Sequence, residues 1–127
     1  MDAPQRLADQ DLGALVTDWI DWAEAAQRLG TTVGKVRTMI REHQLAAAVP
    51  NPGQKGAGQR IPAAFIVDGE PVKGLPGLLT VLHDGGYDDR ECIAWLFLDA
   101  ELPGRPIDAL QENRGSEAKR RAQAMAF

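Results

Sequence analysis

The stretch from Trp22 to Ala47, WAEAAQRLGTTVGKVRTMIREHQLAA, decides the fold, because it reads as two short helices separated by a glycine turn. Asp21 stands where an N-cap belongs, and Glu24, three residues on, has capping-box spacing in front of AEAAQRL; Gly30 then ends the first helix. Thr32 is a second N-cap, with Val33, Val36 and Ile40 as the apolar stripe of a helix running to about His43. Trp22, Ala26 and Leu29 recur at four- and three-residue spacing on the first helix, and the small Ala26 lets the second helix approach closely.

A helix, a turn containing glycine and a second amphipathic helix is the plan that sets the second helix in a DNA major groove. The same pattern also serves a plain helical hairpin. At about 100° per residue, the face opposite the stripe holds Gly34, Lys35, Thr38 and Arg41, with Arg37 at its edge. Lysine and arginine meet phosphates or guanine acceptors, and threonine donates to either. A glycine holds no side chain between backbone and duplex. Thr32, at the N-terminus of this helix, joins the set.

Downstream, Leu45–Val49 and Ile61–Val67 read as short β segments around NPGQKGAGQR (51–60), a loop too rich in Gly and Pro for anything else. Lys55 and Arg60 have no evident core role in that loop, and as a wing they would lie on the phosphate backbone or at the minor groove.

Charge is distributed to match. The chain has a formal net charge of -4, which argues against a polyanionic partner only if the average is what the partner feels. Residues 31–60 carry five basic side chains and one acidic, whereas residues 1–30 carry two and six, and residues 61–127 seven and eleven. A positive middle between negative flanks is a local footprint for DNA; the plainer reading is a solvated loop.

Outside this module, the first eight residues read as disordered. Leu12, Leu15, Val16, Trp19 and Ile20 then have the spacing of one amphipathic helix. After Gly69, LPGLLTVLHD reads as a helix stopping at Gly85-Gly86, Asp88 with Glu91 as a capping box for DRECIAWLFL, Pro106 as the first turn of IDALQEN, and Ser116-Glu117 as the start of EAKRRAQAM. Lys119, Arg120 and Arg121 suit the end of that helix through its macrodipole and need no ligand.

No apolar run approaches the roughly 20 residues of a membrane span, and the acidic N-terminus is unlike a signal peptide. The single Cys92 forms no internal disulfide, so a reducing cytoplasm is the expected location. His83, Asp84 and Cys92 offer nucleophile chemistry by residue type alone, whereas His83 beside terminal helix carbonyls and Cys92 in a core explain them fully. We expect no enzyme, no catalytic residue, no metal and no cofactor.

The stretch Trp22–Ala47 resembles the motif shared by MerR-like and excisionase-like winged helix-turn-helix proteins. RIPAAFIVDGEPVKGLPGLLTVLHDGGYDDRECIAWLF (60–97), with RPIDAL (105–110) and RRAQAMAF (120–127), resembles an actinobacterial family of winged helix-turn-helix DNA-binding proteins, over roughly residues 20–127. The resemblance implies double-stranded DNA as partner and DNA contact by Lys35, Arg37 and Arg41, extended to Lys55 and Arg60 in a wing that is longer here and contains proline. One mycobacterial member of that family is regarded as a Ser/Thr-kinase substrate, which makes such a kinase, or another protein, a candidate partner of the C-terminal domain. GYDDRECIAWL (86–96) and LPGRPIDAL (102–110) also resemble the partner-binding helices of certain antitoxins, so an adaptor function competes; it would need an exposed groove of Trp95, Leu96, Phe97 and Leu98, residues that otherwise read as core.

The expected fold is mainly α with a small β-hairpin: an acidic N-terminal segment (1–19), a winged helix-turn-helix (20–68) and a helical C-terminal domain packed on it (69–127). The expected function is a cytoplasmic, nucleoid-located transcriptional regulator or nucleoid-associated factor, monomeric or homodimeric.

Overall fold

The computed structural model describes residues 7–53, 58–98 and 104–126. After a 3-10 turn (Leu7–Asp9), the chain forms helix α1 (Leu12–Leu15), strand β1 (Trp19–Ile20), and helices α2 (Trp22–Leu29) and α3 (Val33–Arg41). Strand β2 (Ile61–Pro62), a 3-10 turn (Ala63–Phe65) and strands β3 (Ile66–Val67) and β4 (Glu70–Pro71) follow. Helices α4 (Leu75–Asp84), α5 (Asp89–Phe97), α6 (Pro106–Gln111) and α7 (Gly115–Ala126) complete the order. The reading of a mainly helical chain with a small β element therefore holds.

The caps do the local work. The Asp21 carboxylate accepts from the Glu24 N–H at 2.8 Å, and Thr32 Oγ1 accepts from the Lys35 N–H at 3.1 Å. Gly30 closes α2 at φ 67°, a left-handed conformation that glycine adopts without the Cβ penalty. The Asp21–Glu24 box is only half made, since the Glu24 carboxylate pairs with Arg28 one turn on. Asp88 and Glu91 form the complete reciprocal box at the start of α5.

Several expectations are corrected. The N-terminal amphipathic helix is only the four residues of α1. Trp19 and Ile20 leave it to pair antiparallel with Pro62 and Ile61, because a strand partner is available there that local periodicity cannot reveal. The 3-10 turn Leu7–Asp9 orders the end of the segment read as disordered; residues 1–6 of that reading lie outside the described residues. The stripe of α3 is Val36, Met39 and Ile40, not Val33. Val33 is 41% exposed, since it sits in the first turn and about 120° round the helix from Met39. Finally, Leu45–Val49 contributes one bridge residue rather than a strand, Ile61–Val67 is interrupted by a 3-10 turn, and α3 ends at Arg41, with His43 at φ 62°.

One cluster of buried apolar side chains runs through both halves of the chain, from Leu12, Ala25, Ala26 and Val36 through Phe65 to Leu79, Ile93 and Leu110. Trp95, Leu96 and Phe97 are buried in it and Leu98 is half-buried, so these residues are core and form no exposed groove. Phe65 and Phe97 meet with ring centroids 6.0 Å apart. At the head of α6 the Arg105 guanidinium donates to both carboxylate oxygens of Asp108 (3.0 and 3.1 Å), which holds that carboxyl below its ordinary range.

Polar bonds from the head of α5 join the same halves. Arg90 donates to the carbonyls of Gln10 (2.8 Å), Val49 (3.2 Å) and Ala8 (3.3 Å), and the neighbouring Asp89 carboxylate accepts from the Ala47 N–H at 3.2 Å. A charged donor bonded to carbonyls contributes more than a neutral one. Replacing Arg90 with Ala should lower unfolding stability by about 1–3 kcal/mol, seen as a lower urea midpoint. An unchanged midpoint would show that these bonds add nothing beyond their exchange with water.

Candidate nucleic-acid interface

Helix α3 is held by its buried side, where Val36 is fully enclosed and Met39 is 7% exposed. Its nine residues span about 13 Å at 1.5 Å per residue. The other side carries Thr32, Gly34, Lys35, Arg37 and Arg41, all exposed, with Thr38 half-buried. Five of the sequence-derived contact residues are thus open to solvent and Thr38, on the same outward face, is partly covered.

Their local bonding differs in ways that matter for contact chemistry. Thr32 Oγ1 spends its acceptor on the cap, which leaves its hydroxyl proton for an outside oxygen. Thr38 donates back to the Gly34 carbonyl at 3.2 Å, so its hydroxyl proton is engaged within the helix. The Arg37 guanidinium lies 5.8 Å from the centroid of the Trp22 ring, within the range of a cation–π contact that limits where this charge points. Among the described residues, no carboxylate pairs with Lys35, Arg37, Arg41 or Arg60.

The wing base is explicit. Ala48 and Arg60 exchange both backbone hydrogen bonds (3.0 and 2.8 Å), closing the loop between them, and Ile61 continues directly into the pairing with Ile20. Arg60 is exposed at this base. Lys55 lies outside the described residues.

At the foot of α3 the structure assembles residues that sequence reading kept apart. His43 stacks on His83 with ring centroids 3.8 Å apart and planes 20° from parallel, and His83 Nε2 lies 2.8 Å from Asp89 Oδ1. His83 therefore faces a carboxylate and another imidazole, not the terminal carbonyls of its own helix. No periodicity links positions some forty residues apart, and neither His43 nor Arg90 carried a local signal of its role. Met39, three residues after Val36, could have been found by extending the helical spacing.

Cys92 is fully buried, and burial, reinforced by the carboxylates of Asp89, Asp88 and Glu91, pushes its thiol far above the ordinary range. It stays protonated at physiological pH and packs as a small apolar side chain.

The likenesses to known proteins follow this geometry. A family model described as the winged helix-turn-helix domain of the DNA-binding protein Rv2175c matches residues 8–66, and one described as the Rv2175c C-terminal domain of unknown function matches residues 72–126. The likeness thus reaches upstream of the residue 20 expected from sequence, taking in α1 and β1. The chain is 41% identical over 121 residues to the DNA-binding protein Rv2175c of Mycobacterium tuberculosis (strain ATCC 25618 / H37Rv), covering 84% of this chain and 80% of the relative. The NMR structure of Rv2175c superposes with a TM-score of 0.72 at 40% identity, over 87% of this chain and 82% of the other. The chain belongs to the Rv2175c family, with a winged helix-turn-helix domain followed by the C-terminal domain of that family.

Proposed function

We propose that this protein binds double-stranded DNA, with α3 in the major groove and the wing on the adjacent backbone, and that it acts at the nucleoid as a transcriptional regulator or nucleoid-associated factor. The observation that carries the reading is the outward strip of α3. Lys35, Arg37 and Arg41 stand exposed there, unpaired with carboxylates among the described residues, in the most basic part of an acidic chain. The name of the 41%-identical relative, a DNA-binding protein, supports it.

In this reading Gly34 and Lys35, near the N-terminus of α3, approach base edges, as the first residues of a recognition helix do. Arg41, two turns on, meets a phosphate; Arg37 is aimed by the Trp22 ring, and Thr32 donates its hydroxyl proton to a phosphate oxygen. Thr38 must release the Gly34 carbonyl before it can donate, which makes it the weakest of the helix contacts. Arg60 and Lys55 supply wing charge. Few phosphates are neutralised, so affinity is modest and falls with salt with a slope of about one per phosphate contact. A phosphate added to Thr32 or Thr38 would set negative charge against the duplex and oppose binding.

The double substitution Lys35→Glu with Arg41→Glu should reduce duplex affinity at least tenfold in an electrophoretic titration while leaving the circular dichroism and melting temperature near wild type, because both side chains are exposed. A folded double variant with wild-type affinity would refute the assignment. Arg60→Ala should weaken binding equally for specific and random duplexes and reduce the salt slope by up to about one. A loss confined to one sequence would make Arg60 a base reader instead.

A further inference from the structure

The geometry of His43, His83 and Asp89 points to a binding site for a transition-metal dication of the zinc class, joining the foot of α3 to the tail of α4 and the head of α5. One ring nitrogen from each histidine and one Asp89 carboxylate oxygen lie within 4.8 Å of one another. Two imidazoles and a carboxylate are the ligand chemistry of zinc and its borderline neighbours rather than of magnesium or calcium, which prefer oxygen throughout.

Two observations argue that these atoms share an electrophile rather than merely pack. His43 Nδ1 is buried and has no hydrogen-bond partner among the described residues, although buried polar atoms almost always have one. His83 Nε2 approaches Asp89 Oδ1 to 2.8 Å, yet the direction of approach does not meet hydrogen-bond geometry, so that nitrogen too lacks an aligned partner. Electron-pair donors converge there without an aligned hydrogen bond between them.

The surroundings suit a ligand set. The second oxygen of Asp89 accepts from the Ala47 N–H, which fixes the carboxylate plane as an outer-shell bond fixes a metal ligand. His83 and Asp89 keep 17% and 24% of their side-chain surface exposed, so the cluster lies close to the surface although its ring nitrogens are covered. A tetrahedral ion with bonds of about 2.0–2.1 Å sets its donors about 3.4 Å apart, so the His83–Asp89 pair, now at 2.8 Å, must widen, the wider separations within the cluster must close, and the stacked rings must open by rotation about χ2. Cys92 takes no part, since its thiol faces the Tyr87 carbonyl.

The test uses the full chain without a histidine tag, stripped with a chelator and dialysed, at neutral pH. Zinc chloride should raise the melting temperature by several degrees and saturate at one equivalent by calorimetry, magnesium chloride should leave it unchanged, and zinc should shift the ring proton resonances of His43 and His83. His83→Gln and the double variant His43→Gln with His83→Gln should each lose at least tenfold in zinc affinity. Absence of a saturable zinc effect on the wild-type chain would overturn the site, as would unaltered zinc affinity in the double variant. If the variants fail to fold, the wild-type histidine resonances decide: ring protons that do not respond to one equivalent of zinc also overturn it.

Discussion

The head of helix α5 is the constraint on which the arrangement of this protein depends. Asp89 and Arg90 are adjacent, and between them they bond the backbone at Ala47, Val49, Gln10 and Ala8, which ties the segment after α3, the root of the wing and the N-terminal turn to one helix end. Backbone carbonyls and amides leaving regular structure must find partners, and here those partners come from the other half of the chain. The hydrophobic core beneath is continuous across both halves, so helix-turn-helix, wing base and C-terminal helices share one packing problem.

That arrangement leaves α3 presented rather than enclosed. Its buried edge is committed through Val36 and Met39, its start is fixed by the Thr32 cap, and the remaining surface is free to carry charge. The acidic residues that make the chain negative overall lie mostly outside residues 31–60, so the field near α3 and the wing differs in sign from the molecular average. The C-terminal domain shares its core with the helix-turn-helix and bonds to the backbone beside it through Asp89 and Arg90.

Local signals made the helices legible. Caps at Asp21, Thr32 and Asp88 and the stop at Gly30 each act within four residues, and sequence reading located all of them. What it could not see depended on distant partners. Trp19 and Ile20 become a strand because Ile61 and Pro62 lie beside them, against a helical spacing that favoured continuation of α1. Val33 fits the apolar period but lies in a turn that the core does not cover. His43, His83 and Asp89 meet only because α3, α4 and α5 pack together, and Arg90 looked like one more surface cation until its three carbonyl partners were located. The candidate DNA-contact strip was legible for the converse reason: exposed residues on one short helix need only its period to be placed.

In the reading proposed above, one face, formed by α3 and the wing base, meets DNA. Mapping backbone amide shifts of the full chain during titration with a mixed-sequence duplex at low salt tests it most directly. The account predicts perturbations concentrated between Thr32 and Arg41 and around Arg60, fading as salt is raised. Perturbations centred on α7 with α3 unaffected would contradict it.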